Sequence, residues 1–99
     1  MRSHHGYDPE STLTQMRLAR TENPLCQEAA PAIDRAVANA KGLWPCPVDR
    51  EIAGFGALVA AATIAAVTID GATAMTVNMV GLFGQALVDD ARAEVPDAG

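Results

Sequence analysis

Few side chains in this sequence combine the type and the spacing that chemistry requires. His4-His5 is the one histidine pair, and adjacent residues point in divergent directions, so a metal site there needs ligands from elsewhere. Cys26 and Cys46 stand too far apart to form a paired-ligand motif such as Cys-x-x-Cys. A nucleophile at Cys46 needs a histidine base nearby, and Pro45 and Pro47 leave no identifiable helix N-terminus aimed at it. Asp89-Asp90 with Glu94 is a set of hard oxygen ligands, but adjacent acids at a helix end read first as a solvated face. Gly54-x-Gly56 and Gly81-x-x-Gly84 lack the strand-turn-helix context of a nucleotide fingerprint and read as packing glycines. No catalytic, cofactor or metal residue emerges, and the expectation is a protein that is not an enzyme.

Asp70 is the remaining candidate. It is the only charged residue between Ile52 and Val88, so buried it would be a functional carboxylate. Gly71 follows it, however, and an exposed turn explains the pair without function. The 37-residue stretch around it must be hidden from water, and the surface that hides it separates a bundle, an oligomer and a membrane hairpin.

The elements that would position these residues are helices. The 99 residues fit one domain, 49% hydrophobic and 4% aromatic, so its core must be built from Ala, Val, Leu, Ile and Met. Residues 1–7 read as a disordered arm, residues 8–95 as a single helical domain and 96–99 as a tail. Asp8-Pro9-Glu10 and Asn23-Pro24 are both helix-start signals, and the first helix ends before Asn23-Pro24 because a residue preceding proline leaves the helical region. Leu25, Ala29, Ile33, Val37 and Ala40 then line one helical face, with Gly42 as its C-cap. Pro31 either kinks that helix or marks the start of a shorter one. Leu43 to Pro47 reads as an extended linker anchored by Trp44, with the next helix opening near Val48-Asp49.

From Ile52 the apolar residues surround the helical axis, the pattern of a helix buried on all sides. Gly54, Ala57, Ala61, Ala65 and Thr68 form a seam of small residues that lets another helix approach closely, in the same chain or in a second subunit. After Gly71, Met75, Met79, Leu82 and Ala86 form an apolar face beside a stripe of Ala74, Asn78, Gly81 and Gln85, and this helix continues to about Val95. The fold predicted is all-α: two short N-terminal helices and a long apolar helical hairpin. The alternative is α+β, because Asp70-Gly71 between Val67-Thr68-Ile69 and Met75-Thr76-Val77 also suits a β-hairpin turn.

Charge narrows the partners. Residues 1–48 are balanced, so the net charge of −5 belongs entirely to residues 49–99. An acidic surface opposes nucleic acid and anionic lipid, and Arg17 and Arg20 before Asn23-Pro24 do not make a helix-turn-helix. The amino terminus lacks an apolar secretory segment, which points to the cytoplasm and to reduced thiols, both read as small and buried. A disulfide between them would require export by another route. The marks of the small secreted helical-hairpin proteins with a Trp-x-Gly turn are missing, since Pro45-Cys46 follows Trp44.

The functional expectation is a small helical interaction or structural protein, of accessory or phage type, that self-associates through the 52–88 hairpin. Its interface candidates are Gly54, Ala57, Ala61, Ala65, Thr68, Met75, Met79 and Leu82. The alternative is a two-span membrane hairpin, with Ile52–Ile69 and Gly71–Val88 each just long enough to cross a bilayer core of about 30 Å. Asn78, Gln85 and the absence of a basic flank weigh against it.

Overall fold

The structure, a computed structural model, describes residues 8–67 and 70–95, and every regular element among them is an α-helix. The proposed arm over 1–7 and the tail over 96–99 lie outside the described residues, as do His4, His5 and Thr68.

Helix α1 (Pro9–Glu22) begins where Asp8 accepts a hydrogen bond from the Glu10 amide at 3.2 Å, with proline in the first turn. Asn23 then serves two helices. Held extended by the following proline, it donates its own N–H to the Ala19 carbonyl at 2.9 Å and accepts from the Leu25 amide at 2.9 Å. Helix α2 (Pro24–Leu43) runs unbroken through Pro31, so neither a restart at Ala30-Pro31 nor an end at Gly42 occurs. Pro31 and Gln27, whose carbonyl loses its helical donor, are both exposed, where an unpaired carbonyl is least costly. Gly42 has no positive φ, and the helix closes one residue beyond Leu43, where the Trp44 N–H meets the Ala40 carbonyl at 2.8 Å.

The linker is only residues 44–46. Helix α3 (Pro47–Val67) starts directly after it, with the Arg50 amide bonded to the Cys46 carbonyl at 3.2 Å. Helix α4 (Gly71–Glu94) starts at Asp70, whose carboxylate accepts from the Thr73 amide at 3.3 Å and from the Thr73 hydroxyl. Asp70 is thus an N-cap, and Gly71 is the first helical residue rather than a C-cap or hairpin glycine. The β-hairpin alternative fails because Met75, Thr76 and Val77 are already helical.

Helices α3 and α4 form an antiparallel pair that is the spine of the molecule, and glycine sets its spacing. A Cβ on Gly54 would stand 2.8 Å from the Gly84 carbonyl oxygen, and one on Gly84 would stand 2.6 Å from that of Gly54. Only two glycines allow backbones this close. Helix α2 lies along α4, enclosing Cys26, Ile33, Val37, Leu82 and Leu87 with Trp44 at the edge. Helix α1 lies where α3 and α4 meet, driving Leu13 between Leu58 and Val88 and seating Met16 over Gly81. A fully buried leucine of this kind stabilises by about 1.5–3 kcal/mol.

Candidate interaction surface

The carboxyl end of α4 gathers the ionic contacts. Asp89 receives Arg17 of α1 through two atoms, Nη2 at 2.5 Å and Nε at 3.1 Å, and also accepts from Gln85. Asp90 meets Lys41 of α2 at 3.2 Å. Arg50 of α3, only 1% exposed, donates to the carbonyls of Trp44 at 2.9 Å and Pro45 at 3.0 Å and to Glu94, while its Nε lies 3.5 Å from Asp90. Arg92 reaches outward to Glu51 at 2.7 Å and Glu10 at 2.6 Å, its guanidinium 5.2 Å from the centre of the Phe55 ring. Acids at a helix C-terminus oppose its dipole, and here cations from three other helices offset that cost. The Arg92 hydrogen bond holds the Glu10 carboxyl below its ordinary value, and Arg17 and Arg92 are raised chiefly by their bonds to Asp89 and Glu10. Sequence patterning missed this hub. The signal for it was the i, i+4 spacing of Asp90 and Glu94 in a half of the chain that has only Arg50 and Arg92 as cations.

The rest of the hairpin is the reverse. Helix α3 is buried on one side only, through Arg50, Gly54, Leu58 and Ala61, which corrects the expectation of a helix buried all round. Only α1 is short; α2, at 20 residues, corrects the expectation of two short N-terminal helices, but it lies along α4 and not along α3, so Ile52 is left 65% and Val67 81% exposed. Met75 of α4 is exposed as well.

The interface candidates divide accordingly. Gly54 and Ala57 serve the contact between α3 and α4 within one chain, Ala61 is buried, and Leu82 lies in the core. Ala65 and Met75 are exposed and Met79 is half-buried, so these three face outward in whole or part. The surface that sequence reasoning passed over is the outer side of α3: Val48, Ile52, Val59, Thr63, Ala66 and Val67.

Among the described residues, two open clefts lie beside α4. One, about 450 Å³, is lined by Arg20, Asp34, Lys41, Gln85 and Asp89. Its charges are already matched, Arg20 to Asp34 at 2.7 Å, Lys41 to Asp90 and Asp89 to Arg17, although the Gln85 Oε1 is buried without a hydrogen bond. The other, about 490 Å³, is an apolar groove between Leu25, Cys26, Ala29, Met75 and Met79. Cys26 is buried in its wall and Cys46 is exposed, which corrects the reading of two buried thiols, and both are free. Among the described residues no group of three or more His, Cys, Asp or Glu side chains is arranged to hold a metal ion. Comparison of the chain with models of protein families, with curated proteins and with solved structures gives no match.

Proposed function

We propose that this chain is a small non-enzymatic interaction protein that works by self-association through its α3–α4 hairpin. One observation carries the reading. The molecule is polarised, with a knot of ion pairs at the carboxyl end of α4 and an exposed apolar face along α3 that carries no charge beyond Glu51. A patch of this kind on so small a protein is most simply satisfied by another protein surface. The ionic end fixes the arrangement of the helices, and the apolar face supplies association.

The test is the mass of the full chain in detergent-free buffer, by light scattering across a concentration series. A dimer or larger homo-oligomer is expected, and a strictly monomeric mass overturns the proposal. A second reading, membrane association, is favoured by one property: α3 is long and apolar enough to cross a bilayer, with a mean hydropathy of 1.5 over its best window. Flotation with phosphatidylcholine vesicles, together with failure to stay in solution without detergent, would establish that reading instead.

A further inference from the structure

Val48, Ile52, Gly56, Val59, Thr63 and Val67 are all exposed on α3. At about 100° per residue they share an arc of roughly 120°, centred opposite Gly54, the residue that touches α4. Their spacings of three and four residues are those of a helix-packing seam, and Phe55 and Ala60 lie at its margins. Gly56 is informative here. Unlike Gly54, a Cβ at this position would meet nothing within 4 Å, so no contact inside the chain accounts for a glycine in mid-helix, which costs about 1 kcal/mol against alanine.

We propose that this face is a dimer interface in which α3 packs antiparallel on α3 of a second copy, about a two-fold axis level with Gly56 and Val59. The proposal rests on the self-association reading above. Three features favour a second copy as the occupant. The first is shape, because the antiparallel register that pairs Val59 with Gly56 also sets Ile52 against Thr63, Phe55 against Ala60 and Val48 against Val67. Large residues meet small ones or a matched valine, so the strip is complementary to itself. The second is charge. A parallel pair would set Asp49 and Glu51 beside their own copies, whereas the antiparallel pair moves them to opposite ends and opposes the helix dipoles. The third is area. Val48 to Val67 spans about 30 Å, so a strip about 10 Å wide covers roughly 300 Å² on each copy and roughly 600 Å² in total, which fits a weak dimer that forms and dissociates with concentration.

The test combines mass with geometry. Val59→Asp, and Gly56→Leu as a second variant that fills the hole without adding charge, should each weaken dimerisation at least about 100-fold while the helical circular dichroism is retained, since both positions are exposed. Met75→Asp, on α4, should leave the dimer intact. On a Cys46→Ser background, spin labels at Ala66→Cys should lie about 25 Å apart along the axis in an antiparallel pair, whereas labels at Val59→Cys should be close. A dimer broken by Met75→Asp but not by Val59→Asp overturns this interface and leaves self-association standing. Close labels at position 66 overturn the antiparallel arrangement. A wild-type monomer in buffer, with or without binding to phosphatidylcholine vesicles, removes both proposals together.

Discussion

At the scale of single residues, the glycines separate by what a methyl group would meet. Gly54→Ala drives a Cβ against the Gly84 carbonyl oxygen at 2.8 Å and forces α3 from α4, so a loss of about 1–3 kcal/mol is expected. Gly42→Ala meets nothing within 4 Å and needs no unusual φ, so it should stabilise by about 0.5–1 kcal/mol. Urea titration of the two variants checks the pair, and equal effects would contradict the close approach. Asp70 behaves as a cap: Asp70→Ala should cost about 1 kcal/mol, and Asp70→Asn should stay within about 0.5 kcal/mol because asparagine caps equally well. A large loss from the asparagine variant would show that the charge itself has a role.

At the scale of elements, the arrangement depends on how α1, α2 and α3 are fastened to the end of α4. Arg50 is the fastening that tolerates least change, because its guanidinium serves two backbone carbonyls and Glu94 from a buried position. Arg50→Ala should cost about 2–3 kcal/mol, since it removes a buried, hydrogen-bonded side chain and leaves the buried Oδ2 of Asp90 without its neighbouring cation. Arg50→Lys should recover only part of that, because an ammonium cannot reproduce the planar fork. Thermal melts monitored at 222 nm check the order wild type, lysine, alanine. The exposed pair of Arg20 and Asp34 provides the control, and Asp34→Asn should change stability by no more than about 1 kcal/mol.

At the scale of the whole molecule, the two ends respond oppositely to solvent. The folded-state value of Glu10 lies below its ordinary value, so its contribution is present above the usual glutamate range and lost as the pH falls through the folded value. Arg17 and Arg92 are raised, and their contributions persist until alkaline conditions beyond ordinary use. Stability should therefore decline on the acid side below the usual carboxylate range, and Glu10→Gln should flatten part of that decline in denaturation curves taken across pH. Molar salt should screen the exposed pairs at the ionic end, whereas sulfate should strengthen association through the apolar face of α3. Melts and mass measurements in chloride and in sulfate separate the two effects, and parallel changes would argue against a polarised molecule.

Much of the secondary structure was written locally. Asp8-Pro9, Asn23-Pro24 and the alanine-rich runs determine where α1 and α2 begin and why α3 and α4 are helices, because capping and propensity act within a few residues. Local letters could not separate Gly71 as a helix end from Gly71 as a helix start, since glycine suits both and the choice turned on Thr73 reaching back to Asp70. The hub around Arg50 and the division of α3 into a covered and an open side were decided by tertiary structure alone. Arg50 meets Glu94 across 44 positions of sequence, and the wheel of α3 is apolar all round, so only the packed positions of α1 and α4 determine which side is left uncovered.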